Sequence, residues 1–213
     1  IVAITGGFAH FAVRESLIDT DNIAATINNI KVSESLFRIG SISDLFCQVI
    51  FIFVPLTFYN LFRSVNRNHA VAMLIIALIG VPIACLNMLN QFGALHLIVN
   101  KNYLNSIGSS ALQSQVALYL ELHNIGILIA QIFWGLWLFP LGYIIYRSGL
   151  LPKIIGVMLV IAAAIYSLGS IVSFLYPNYV QVLEPMYIEP AFAEIMLCLW
   201  LIIKGVRTVT PPI

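Results

Sequence analysis

Apolar residues in this chain fall in long blocks with few polar positions rather than alternating with polar ones. The blocks run over 36–62, 70–99, 116–146, 154–176 and 190–203. A hydrocarbon core of about 30 Å takes roughly 20 residues of helix at 1.5 Å per residue. The first four blocks are read as membrane-spanning helices on that ground, and 190–203 is counted with them as the last span. A further block, Ile1–Val13, would cover about 20 Å and is read as the end of a truncated first span. It begins without Met and lacks the basic stretch and small-residue cleavage site of a secretory signal. The expected fold is an all-α integral membrane protein, a single six-helix transmembrane bundle over 1–213 with its first helix truncated.

Two connections have patterns of their own. In 14–35, Ile23, Ile27 and Ile30 recur at helical spacing after Asp21. That fits either a short amphipathic helix at the outer interface or an ordered extracellular loop. In 176–190, Pro177, Pro185 and Pro190 are expected to break any helix, with Tyr176, Tyr179 and Tyr187 as interfacial anchors. No repeat of solenoid period and no pair of inverted halves is evident.

Composition narrows the class. Of 213 residues, 61% are apolar and 9% charged, against about 25% charged in soluble domains. That is too little charge to cover a water-facing surface, and a net charge of +1 offers no basic face to nucleic acid. A soluble globular enzyme, a disordered tail and a nucleic-acid partner are excluded, leaving the lipid bilayer as the expected medium. Cys47, Cys85 and Cys198 lie in apolar blocks, without the spacing of a zinc ribbon or a disulfide framework.

Charge also orients the spans, because Lys and Arg are retained on the cytoplasmic side. With the N-terminus inside, the inner connections hold Arg63, Arg67, Arg147, Lys153, Lys204 and Arg207 and no acid. The outer ones hold Arg14, Lys31, Arg38 and Lys101 against Glu15, Asp19, Asp21, Glu34, Glu184 and Glu189. The expectation is a plasma-membrane protein with both termini cytoplasmic.

Three acids remain inside spans: Asp44, Glu121 and Glu194. An ionisable group in the bilayer interior costs at least about 2.5–3.5 kcal/mol on insertion scales, so it usually faces the bundle interior with a partner. All three fall in the outer half, Asp44 deepest at about 12 Å. Helical spacing groups Ser41, Asp44 and Gln48 in one arc of the second span and Asn87, Asn90 and Gln91 in a stripe on the third. Glu121, Asn124 and Gln131 share a face of the fourth span, and Glu194 and Cys198 share one on the sixth. Two readings stay open. One is an outward-facing polar cavity lined by Asp44, Gln48, Asn87, Asn90, Gln91, Glu121, Asn124 and Glu194. The other is interhelical hydrogen bonding, worth roughly 0.6 kcal/mol per contact. With no cation at matching depth, Asp44 is expected to meet the amides of the third span unless Arg38 reaches down to it.

His10, His96 and His123 are expected near the outer boundary and could hold a divalent metal or, as a pair, a haem. They form none of the usual metal-binding spacings. His123 shares its face with Gly126, Ala130 and Trp134, a surface suited to close packing. No nucleophile spacing and no phosphate-cradling loop occurs, and no cofactor is indicated. Gly126 with Ala130, Ala163 with Ser167 and Gly169 with Ser173 are small pairs four residues apart, which let helices approach closely.

One stretch is distinctive: Gly142-Tyr143, Tyr146-Arg147-Ser148-Gly149, Leu151-Pro152-Lys153 and Gly156. Together with Glu34-Ser35-Leu36-Phe37-Arg38 and Leu122-His123-Asn124, it resembles a bacterial multi-pass membrane family catalogued as domain of unknown function 4386. The resemblance runs along nearly the whole chain. It implies a six-span bacterial plasma-membrane protein and brings no activity, cofactor or catalytic residue with it. Physically, Gly149 is suited to end the fourth span and Pro152 to begin the fifth, with Arg147 and Lys153 holding the turn cytoplasmic.

Three functions fit these residues. The first is a non-enzymatic accessory subunit of a larger membrane assembly, or a small-ligand binder. The second is a membrane-embedded metal-dependent enzyme using the histidines with Glu121 or Glu194. The third is a transporter or channel for a cation, proton or small solute, with Asp44 as the site. The topology itself is open to labelling. In a background lacking Cys47, Cys85 and Cys198, an impermeant thiol reagent added outside should modify Asn102→Cys or Asn178→Cys and miss Asn66→Cys or Ser148→Cys. The reverse pattern would sink the orientation.

Overall fold

The computed structural model describes residues 1–100, 108–179 and 188–207. Lys101, Asn102, Glu184, Pro185 and Tyr187 lie outside the described residues, as does the side chain of Tyr179. The described residues are helical, with no strand among them. Helix α1 covers 2–17 and is α-helical at Val2–Gly7, π-helical at Phe8–Arg14 and α-helical again at Glu15–Leu17. It is followed by α2 (Ile23–Val32), α3 (Glu34–Phe62), α4 (Arg67–Val99), α5 (Ser109–Ser148), α6 (Lys153–Leu175) and α7 (Ile188–Ile203). A short 3-10 turn, Pro177–Tyr179, follows α6.

Four of these helices, α3 to α6, are long and apolar enough to cross a membrane. Six were expected. The difference lies at the chain ends, where α1 is short and interrupted and α7 has 16 residues, a rise of about 24 Å. Pro190, expected to close the preceding loop and open the last span, lies just inside α7, which starts at Ile188. It occupies the first turn, where a backbone N–H has no helical acceptor to lose.

Regular helix geometry is interrupted inside α3 and α5, at Ile52 and at Trp137. Each interruption falls three residues before a proline, Pro55 and Pro140. Proline offers no N–H to the carbonyl four residues back and its ring crowds that group, here on Phe51 and Leu136.

The chain forms two compact units. The first comprises Ile1–Ile52 and Val81–Ile127, the second Phe53–Gly80 and Leu128–Ile213. In the first, the segment after α1 is a helix docked on the protein rather than an open loop. Asn22 caps α2, its side-chain carbonyl accepting from the Ala25 N–H at 3.0 Å. The buried Thr26 hydroxyl accepts from the Asp19 N–H at 2.8 Å and donates to the Asp19 carbonyl at 2.9 Å. One turn on, Ile30 is fully buried in a cluster with Val13, Leu17, Phe37, Leu95 and Ile98. The isoleucine spacing thus serves protein packing.

The second unit is built on close backbone contact. The α5 segment Leu138–Ser148 runs antiparallel to α6 across a turn in which Gly149 takes φ +69°, the left-handed region that favours glycine. Ser148 tightens it by accepting from the Leu150 N–H at 3.1 Å. Pro152 stands at the N-cap of α6. Farther along, Gly142 and Gly156 face each other so closely that a Cβ on either would lie 2.5–2.6 Å from the other's carbonyl oxygen. Backbone cannot yield there as a flexible side chain can. Gly156→Ala should lower the stability of the purified protein by about 1–3 kcal/mol, the usual range for overpacking, read as a fall in thermal midpoint. Gly108→Ala is the control, since a Cβ there meets nothing within 4 Å.

Candidate functional site

Polar residues of the first unit lie where α1 and α4 meet α3 and where α5 meets α4. Small residues set the approach of α1. A Cβ at Gly40 would sit 2.7 Å from Val13, and one at Gly6 would lie 3.2 Å from the Cys47 sulfur. With the helices this close, Ser43 donates to the Thr5 carbonyl at 3.0 Å. Arg14, the last residue of the π-helical stretch, forms an ion pair through a guanidinium nitrogen with the Asp44 carboxylate. Helical side chains lean toward their own N-terminus, so an arginine at the end of an apolar run on α1 reaches back along α3. The sequence expectation is corrected here. A cation does reach Asp44, and it comes from α1. Arg38 instead pairs with Glu34 one turn away at 2.7 Å on an exposed face.

Beside this pair, α3, α4 and α5 are joined by a chain of hydrogen bonds. Ser41 Oγ lies 3.0 Å from the Phe37 carbonyl and 3.0 Å from the Gln91 amide. The other end of that amide is 3.0 Å from His123 Nε2. His123 Nδ1 is 3.2 Å from Asn87 Nδ2, which also donates to the His123 carbonyl at 2.9 Å. Asn90 Nδ2 donates to Asn87 Oδ1 at 2.9 Å. As placed, Ser41 Oγ donates to Gln91 Oε1 and Gln91 Nε2 faces His123 Nε2, while His123 Nδ1 also lies 3.5 Å from the Asn87 carbonyl. Turning the Gln91 amide over lets each donor meet an acceptor. Asn87 Nδ2 is a donor, so Nδ1 of a neutral imidazole accepts and Nε2 carries the proton. The Gln91 amide then turns its oxygen to His123 and its NH2 to Ser41, and the single Ser41 proton goes to the Phe37 carbonyl. Every member is satisfied. Gly126 makes room for it, since a Cβ there would lie 2.0 Å from Asn87 Oδ1.

The other candidates are dispersed. Ser41 and Asp44 are about 60° apart around α3, which is why one meets α4 and the other α1. Gln48 keeps a buried carbonyl oxygen without a partner among the described residues. Glu121 and Asn124 are exposed, contrary to the inward face expected for them. At 100° per residue, burying His123 turns Glu121 about 200° away and Asn124 about 100° away. Glu194 belongs to the second unit, as does Gln131, whose buried amide nitrogen has no partner among the described residues.

The histidines do not converge. His10 is exposed with Glu15 at 3.5 Å, and His96 is exposed beside Asn100 at 3.3 Å. His123 is buried with both ring nitrogens engaged by amides. Among the described residues, no three His, Cys, Asp or Glu side chains are grouped to hold a metal. Sequence reasoning placed Arg14 in the outer loop and did not single out Ser43. The usable signal for both was the glycine pair Gly6 and Gly40, which marks where α1 and α3 touch.

Comparison with known proteins adds a family. The one described as "Domain of unknown function (DUF4386)" matches residues 1–205. An "Uncharacterized protein" of Archaeoglobus fulgidus is 35% identical over 77 residues, which are 36% of this chain and 44% of that relative. The match therefore spans less than half of the relative's length. No solved structure matches.

The ion pair has a measurable signature. Arg14→Gln or Asp44→Asn alone leaves an uncompensated charge and should destabilise the purified protein strongly. The double variant should recover part of the loss, with a coupling of roughly 1–3 kcal/mol from the thermodynamic cycle. Strict additivity of the two losses would show that the side chains do not interact.

Proposed function

This chain belongs to the family described as domain of unknown function 4386, and we propose that it is a non-enzymatic multi-pass plasma-membrane protein that binds a small polar ligand at Arg14 and Asp44. The charge pattern of its connections supports a six-span topology with both termini cytoplasmic, α1 and α7 being the outermost members of that count. The observation that carries the ligand reading is the state of the ion pair. The side chains of Arg14 and Asp44 are 19% and 14% exposed, so the pair keeps an open edge, and guanidinium has five N–H donors in a planar fork. A ligand carrying a carboxylate or a zwitterion matches that edge. The hydrogen-bonded chain through Gln91, His123 and Asn87 is the rigid backing beside it.

The completeness of that same chain favours a second reading, in which the polar cluster only holds helices together and the protein is an accessory subunit of a larger membrane assembly. Dispersal of the histidines removes the support for a metal-dependent enzyme, and the engagement of Asp44 by Arg14 weakens the case for a free cation or proton site.

One measurement separates binder from subunit. The purified chain is heated with glycine, acetate, phosphate or choline in turn. A ligand site should raise the thermal midpoint saturably with a matching solute, approaching about 2.7 kcal/mol of stabilisation at a hundredfold excess over Kd. The rise should vanish in the Arg14→Gln, Asp44→Asn double variant. If none of these solutes shifts the midpoint, the subunit reading stands in its place.

A further inference from the structure

We infer that one end of the second unit, made by the 63–67 and 147–153 turns and by 204–207, is a docking surface for anionic phospholipid headgroups. Three stretches of chain far apart in sequence are held together there. The Arg207 N–H donates to the Leu150 carbonyl at 2.9 Å, tying the segment after α7 to the turn between α5 and α6. His69 in the first turn of α4 stacks on Tyr143 of α5, their ring centroids 4.5 Å apart. The turn between α3 and α4 therefore lies at the same end as the other two.

The cations of this end are Arg63, Arg67, Arg147, Lys153, Lys204 and Arg207, and all are exposed. Among the described residues none of them pairs with a carboxylate. The described acids of the unit, Glu189 and Glu194, stand at the start and middle of α7, whereas Lys204 follows its end. Six like charges with no counterion among the described residues repel one another and attract anions from outside the chain.

The aromatic side chains indicate which anions. Tyr143 and Tyr146 are exposed at the same end, and Lys153 Nζ lies 5.4 Å from the centre of the Tyr146 ring. Exposed tyrosines at the end of an apolar helix sit at the headgroup level of a bilayer. Cations level with them meet lipid phosphates, and clustered juxtamembrane Lys and Arg attract anionic lipid. The inference requires that the helices cross a bilayer. It does not depend on the ligand proposed for Arg14 or on which leaflet is cytoplasmic.

The test uses the full chain in neutral detergent, titrated with short-chain phosphatidylglycerol and, separately, phosphatidylcholine. Phosphatidylglycerol should bind about tenfold tighter or better, and added salt should erode the difference. The combined Arg63→Gln, Arg67→Gln, Arg147→Gln, Lys153→Gln variant should lose the preference. Arg38→Gln, at an exposed pair in the other unit, should keep it. If the fourfold variant does not fold, Lys153→Gln and Arg207→Gln singly, with the salt titration of the unaltered chain, decide the matter. Equal binding of the two lipids, a preference indifferent to salt, or equal loss in Arg38→Gln would overturn the inference. So would complete displacement of the lipid by an equal concentration of glycerol phosphate, which would mark a site for a free anion.

Discussion

A charged side chain placed among apolar helices has to find its counter-charge within reach, and the meeting of Arg14 with Asp44 is where this chain satisfies that demand. Either group alone would cost several kcal/mol in a hydrocarbon environment. Together they offset one another, but only if α1 lies close against α3. Gly6 and Gly40 provide that closeness, the latter leaving less than a methyl group's clearance to Val13. The rest of the first unit follows from this contact. Val13 and Leu17, carried on the same helix, become part of the cluster that buries Ile30 and so docks α2.

The neutral polar groups obey the same constraint by a different route. Unlike the charges, amides and an imidazole can close a chain of hydrogen bonds among themselves, and Ser41, Gln91, His123, Asn87 and Asn90 do so across three helices. Each contact is worth little by itself. Their value lies in direction, because a donor must meet an acceptor at every step, and this fixes the rotation of α3, α4 and α5 about their axes. The exposure of Glu121 and Asn124 is a consequence of that rotation. The second unit relies instead on the shape of its backbone, with Gly142 against Gly156 and dispersion contacts between apolar faces.

Much of the fold is legible in the sequence alone, for a physical reason. Hydrophobic block length, helix-stopping Gly149 and the helix-starting Pro152 act through neighbours in sequence, so the four long helices and the tight turn between α5 and α6 could be read from local order alone. The excess of Arg and Lys over acids in alternate connections is likewise a property of the linear chain. Tertiary structure decided which polar groups meet. Asp44 was recognised as needing a partner, yet Arg14 lies thirty positions earlier in sequence, and no periodicity within one helix can report a contact between two. The sequence places His123 on the face of Gly126, suited to close packing. That its ring would accept and donate across to α4 depended on the facing of Asn87 and Gln91, set only when the helices pack.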